Sequence, residues 1–106
     1  MKNSFIIIFV TCASKKEAGL LSDLLLKKRL VACANIIEGV DSKFWWHGKV
    51  DKAHETLVIF KTGADKFKAV QREVLRLHSY DTPEIIAIPI VAGSKDYLNW
   101  IKSSLK

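Results

Sequence analysis

The chain has 106 residues, 49% hydrophobic and 26% charged, which excludes a disordered or fibrous protein and leaves room for one domain, residues 1–106. Seventeen Lys and Arg against eleven Asp and Glu give a net charge of +6, but no basic run exceeds three residues, so the surplus reads as a solvated surface rather than a nucleic-acid groove. No stretch approaches the roughly 20 apolar residues of a membrane-spanning helix.

Met1-Lys2 followed by Phe5 to Val10 mimics a short secretory leader, with Cys12-Ala13-Ser14 after it. The single Lys and the short apolar run argue against a leader, and cleavage would remove what reads as a central strand. Phe5 to Val10 is β-branched and aromatic on both alternating faces, as in a strand buried front and back. Ser14 and Glu17 form a capping-box pattern that opens a helix. Ala18, Leu21 and Leu25, flanked by Leu20 and Leu24, mark its apolar face, and Lys27, Lys28 and Arg29 suit its negative end.

Val31 to Ile37 is a second strand, with Gly39 marking a bend or bulge. It resumes over Ser42 to Trp46, turns at His47-Gly48 and returns as a third strand from Lys49 to Thr62. Gly63 to His78 reads as the second helix, with Phe67, Val70, Val74 and Leu77 facing inward. Pro83 breaks the chain after it. Ile85 to Val91 is a fourth strand, which Pro89 assigns to an edge or a bulge. Ser94 then caps a terminal helix carrying Tyr97, Leu98, Ile101 and Leu105 on one side.

The order is βαββαβ plus a terminal helix, which is the α+β, ferredoxin-like sandwich with a long hairpin between its second and third strands. Two crossover helices cover only one face of such a sheet. Yet Ile6, Ile8 and Val10 share one face of the first strand while Phe5, Ile7 and Phe9 share the other. Burying the second set contributes roughly 5–9 kcal/mol in area terms, and leaving it wet exceeds what soluble monomers tolerate. The hairpin argues the same way. Fourteen residues from Lys49 to Thr62 span roughly 45 Å when extended, against a radius of gyration of about 13 Å for a domain of this size. A projecting ribbon with an open edge invites pairing, and Phe44, Trp45 and Trp46 near its tip would anchor it on another subunit. A closed oligomer is therefore expected.

Chemistry is sparse. Walker, GxGxxG, HExxH, GxSxG and zinc-finger spacings are missing from the sequence. His47 and His54 flank the hairpin turn, and His78 ends a helix. Cys12 and Cys33 lie near the ends of two strands, where they either face a shared cavity as ligands for copper or zinc or serve as inert buried thiols. The absence of a CxxC pair and the apolar setting of both thiols point to a reducing, cytoplasmic compartment. Glu55 and Glu84 read either as a carboxylate pair or as answers to basic neighbours such as Lys61.

Across nearly the whole chain a set of short segments resembles the CutA family of divalent-cation tolerance proteins. These are Val10-Thr11-Cys12, Leu30 to Asn35, Trp46-His47-Gly48-Lys49, Glu55 with Lys61-Thr62, His78 to Ile85, Pro89 with Gly93, and Tyr97 with Trp100. The resemblance implies a ferredoxin-like homotrimer, no enzymatic activity, and a link to copper or other divalent metal ions, with no obligatory cofactor. It matches at Cys33, Trp46, Glu55, Lys61, His78, Tyr80, Pro83, Glu84, Tyr97 and Trp100. It departs at His78-Ser79-Tyr80-Asp81, where many members have His-Pro-Tyr-Glu, and at Thr11-Cys12-Ala13, where many have Thr-Cys-Pro.

The leading expectation is a trimeric divalent-cation binder with inter-subunit clefts. Trp46, Glu55, Lys61, Tyr80 and Glu84 are the candidate cleft residues, and Cys33 and His78 the candidate metal ligands. The alternative is a trimeric signalling module that binds a small anionic ligand or a partner protein. RNA binding is disfavoured because His54 to Phe60 lacks the aromatic pattern of RNA-recognition strands, and neither nucleic acid nor membrane is expected as a partner.

Overall fold

The computed structural model describes residues 4–106, so Met1 and Lys2 of the leader-like start lie outside it. Among the described residues the elements are β1 (Phe5–Cys12), α1 (Lys15–Lys27), β2 (Cys33–Trp46), β3 (Lys49–Gly63), a 3-10 turn (Ala64–Lys66), α2 (Phe67–Leu77), β4 (Ile85–Pro89) and α3 (Lys95–Ser104). The four strands form one antiparallel sheet in the order β2-β3-β1-β4. This is the expected α+β ferredoxin-like arrangement, in which α1 and α2 cross over one face.

Alternation along β1 and β3 sets the core. Ile6, Ile8 and Val10 with Val58 and Phe60 point to the helices and meet Ala18, Leu21 and Leu25 of α1 and Val70 and Val74 of α2. Thr62 is buried in the same layer because its hydroxyl donates to the Leu30 carbonyl at 2.7 Å. The opposite face carries Phe5, Ile7 and Phe9, all half-buried, in register with Ile59, Lys61, Ile86 and Ile88. Ile86 and Ile88 are 52% and 46% exposed. The terminal helix covers one end of this face only: α3 lies against β3, with Ile101 fully buried and Tyr97 bonded to Lys61. The second sheet face therefore stays largely apolar and uncovered within one chain.

The hairpin follows its local signals. His47 and Gly48 have φ of 49° and 79°, giving a two-residue turn whose twist matches the strands, and Trp46 pairs with Lys49. Gly39, at φ 78°, sits in a register shift between Ile37 and Val40, so the bend expected there is a bulge. The molecule measures 44 × 26 × 23 Å, long in one direction as a projecting ribbon requires.

Two element boundaries, one side-chain orientation and one cap differ from expectation. The second helix does not begin at Gly63 as its sequence suggests: Gly63 is extended and pairs with Phe5, and Ala64 N–H donates to the Ser4 carbonyl, so the sheet holds the chain until the 3-10 turn. The fourth strand was extended to Val91, but β1 begins at Phe5. The last bond it offers is from Ile90 N–H to the Phe5 carbonyl, beyond which Val91 is 92% exposed. Leu77, read as inward-facing, is exposed and shares a shallow groove with Leu20 and Leu21. Ser94 occupies the N-cap of α3 without a side-chain capping bond.

Candidate functional site: an acidic cleft beside the hairpin

The turn at His47-Gly48 fixes pairing all along the ribbon. Phe44 falls opposite Asp51 and Ser42 opposite Ala53, so Phe44, Trp46, Asp51, Ala53 and Glu55 share one side. The segment after α2 folds over this side and delivers Tyr80, Asp81, Thr82 and Glu84. With Thr11 of β1 and Lys52, these residues line a cleft of about 450 Å³.

Inside the cleft the Tyr80 hydroxyl donates to Glu55 Oε2 at 3.0 Å. Glu55 is only 8% exposed and, among the described residues, has no other hydrogen bond and no ion pair. Burial, then the bond to Glu55 and its charge, push the Tyr80 phenol up to about 12. Burial and the neighbouring Glu55 raise the Glu84 carboxyl above its ordinary value. Asp51 and Asp81 add two more carboxylates, against one lysine, Lys52.

A hydrogen-bonded latch positions Tyr80. Thr11 O is within 2.7 Å of His78 Nε2, and Tyr80 N–H donates to His78 Nδ1 at 3.0 Å. A carbonyl can only accept and an amide N–H can only donate, so the imidazole carries its proton on Nε2. Next to it, Glu17 accepts from Ala13 N–H at 2.9 Å and from Ser79 N–H at 2.8 Å. Burial alone would raise the Glu17 carboxyl, but those donors and the adjacent His78 outweigh it and hold it below the usual carboxylate range. Ser14 completes the cap by accepting Glu17 N–H at 3.1 Å.

Cys12 completes a second cluster, because ligand atoms of Cys12, Glu17 and His78 lie within 4.8 Å of one another. Thiol, carboxylate and imidazole suit zinc or copper in type. Each is already committed, however. Both His78 nitrogens and both Glu17 oxygens are hydrogen-bonded, and burial, then Glu17 and Glu55, push the Cys12 thiol up to about 12, so it stays neutral. As folded, this cluster holds the loop rather than offering a chelate.

Of the residues expected from sequence, Trp46, Glu55, Tyr80 and Glu84 come together in the cleft. Lys61 does not: its ammonium donates to the Tyr97 hydroxyl at 3.3 Å and lies 5.6 Å from that ring. Cys33 is in register with Lys61, whereas His78 bonds to Thr11, in register with Leu57, so the two candidate metal ligands are separated along β3. The cavity envisaged between Cys12 and Cys33 does not exist, because Cys12 faces the helices while Cys33 faces the opposite side of the sheet with Lys61. His54, also weighed as a ligand, bonds to Asp41 at 2.8 Å on the exposed ribbon, and His47 lies in the turn. Phe44 and Asp51 belong to the cleft without having been singled out as cleft residues. The signal was available, since a two-residue turn dictates which residues pair.

Residues 6–104 match the family described as CutA1 divalent ion tolerance protein. The divalent-cation tolerance protein CutA of Archaeoglobus fulgidus is 44% identical over 99 residues, covering 93% of this chain and 96% of its own length. Its solved structure, described as periplasmic, has a TM-score of 0.93 at 43% identity, covering 96% of this chain and 99% of that one. The chloroplastic protein CutA 1 of Oryza sativa is 39% identical over 101 residues, or 95% of this chain, which spans 57% of that relative's length. The crystal structure of CutA1 from Oryza sativa has a TM-score of 0.94 at 38% identity, covering 97% of this chain and 94% of that one.

Proposed function

The chain belongs to the CutA1 divalent ion tolerance family, and we propose that it works as a homotrimer without enzymatic activity, whose clefts bind divalent cations, copper among them, where subunits meet. The observation that carries this reading is Glu55 and Glu84 facing one cleft, with Glu84 held above its ordinary pKa by burial and by Glu55. Glu55 is buried and Glu84 is more open, and two neighbouring carboxylates, one of them shielded from water, resist ionising together; a divalent cation between them removes that cost. Their oxygens, with Asp51 and Asp81 nearby, are ligands for a hard or borderline cation. Cys33 enters the reading only from a neighbouring copy, because within one chain it begins β2 opposite Lys61, six residues along β3 from Glu55.

Two features support assembly. The face bearing Ile7, Phe9, Ile86 and Ile88 is apolar and incompletely covered, and the ribbon exposes Trp45 to 75% and Val50 to 59%. A ring of copies would bury both, and a head-to-tail contact closes when its rotation does. Cys12 and Cys33 are both free thiols, which supports a reducing compartment such as the cytoplasm. No described helix is long and apolar enough to cross a membrane. An anionic ligand fits less well, since carboxylates outnumber lysine in the cleft.

Calorimetric titration of copper into the purified protein tests the site. Saturable binding that is lost in Glu55→Gln and Glu84→Gln is expected. Undiminished binding in both variants would move the site elsewhere.

A further inference from the structure

We infer that the cleft also takes an aliphatic polyamine, its ammonium groups on the carboxylates and its hydrocarbon chain against Phe44 and Trp46. This rests on reading the cleft as a cation site, but it names a ligand class that a metal-only site would not require.

The walls are the first argument. A divalent metal ion is satisfied by oxygen ligands and waters and gains nothing from apolar surface. Here Phe44 and Trp46, 38% and 46% exposed, stand on the same side of β2 and line the cleft together with Tyr80. An aromatic face attracts an ammonium group and also shelters methylenes, so rings beside carboxylates match an organic cation.

The charge layout is the second. Glu55 and Glu84 sit at the inner end near Thr11, and Asp51 lies further out, opposite Phe44. From Glu55 to Asp51 is four residues along β3, or about 13 Å. Separated acidic points, with Tyr80 beside the inner one and Phe44 beside the outer one, match a linear chain bearing more than one ammonium. The volume agrees, because about 450 Å³ far exceeds the roughly 30 Å³ share of a single water-sized ion.

Glu55 supplies the third. It is more than nine-tenths buried, its one bond goes to the Tyr80 hydroxyl, and no cation among the described residues pairs with it. Buried carboxylates normally have a positive partner. This one lines an open cleft on a protein whose net charge is +6, so a mobile dication would be drawn to this acidic depression rather than to the general surface.

The test uses the full-length protein and two probes, spermidine and copper, each titrated separately by calorimetry, with hexanediol as an uncharged control. Spermidine is expected to bind saturably and hexanediol not at all. Glu55→Gln should weaken spermidine and copper alike. Trp46→Leu should weaken spermidine about tenfold and spare copper. Should Trp46→Leu lose the native oligomeric mass, Phe44→Leu takes its place. Copper binding without spermidine binding at millimolar concentration overturns this inference alone. Spermidine binding without copper binding keeps it and overturns the metal reading. Spermidine affinity unchanged in Trp46→Leu and Phe44→Leu, or matched by hexanediol, also overturns it.

Discussion

Replacing Glu17 with Ala removes the acceptor for two backbone donors at once, Ala13 N–H and Ser79 N–H, and unties the start of α1 from the loop that carries Tyr80. A hydrogen bond to a charged group contributes roughly 1.5–3 kcal/mol. The Glu17 side chain is 19% exposed, but Ala13 and Ser79 are exposed, so water replaces part of what is lost. We therefore expect Glu17→Ala to cost about 2–3 kcal/mol at neutral pH. The folded carboxyl titrates below its unfolded value, so its contribution is complete above the unfolded pKa and disappears as pH falls through the folded one. Urea unfolding followed by circular dichroism, at fixed subunit concentration, should thus show a wide gap between wild type and variant at pH 7 that closes in acid. A gap of the same size at both ends of the range, or one under about 0.5 kcal/mol at pH 7, would refute the latch.

Three further outcomes follow from the same geometry. Cys12, fully buried with its thiol pushed up to about 12, should resist Ellman's reagent in the native protein and react only on unfolding; rapid native labelling in a Cys33→Ser background would contradict this. Spectrophotometric titration should find a tyrosine ionising at about 12, and Tyr80→Phe should remove that late phase; a late phase that persists in the variant would contradict this. Gly39→Ala places a Cβ at φ 78° with open space around it, so strain alone should cost roughly 1–2 kcal/mol in urea unfolding, and a variant as stable as wild type would remove the bulge from the account.

What the sequence made legible was local. The buried β1, the Ser14–Glu17 cap, the bulge at Gly39 and the turn at His47-Gly48 are each written in a few adjacent residues. The less legible features depended on distant partners. Arg29 takes the left-handed conformation that ends α1, at φ 57°, with Leu30 N–H reaching the Leu25 carbonyl, although no glycine marks the place. Glu17 read as a capping residue, but its carboxylate bonds one residue before the expected N-cap, to Ala13, and across to Ser79. The family resemblance makes Lys61 a cleft candidate and Cys33 a metal-ligand candidate, yet six residues of β3 separate the Cys33–Lys61 pair from Glu55, and Tyr97 of α3 holds Lys61. Glu55, Tyr80, Glu84 and Trp46 did converge, because a fixed hairpin register and one loop suffice to gather them.

The central claim is that copies of this chain cover each other's exposed sheet face and hold cations in the clefts beside the hairpins. Native mass spectrometry with and without added copper addresses both halves together. The account expects three chains in either condition and a copper-dependent mass increase that Glu55→Gln abolishes. A single chain at micromolar concentration, or three chains whose mass copper leaves unchanged, would contradict it.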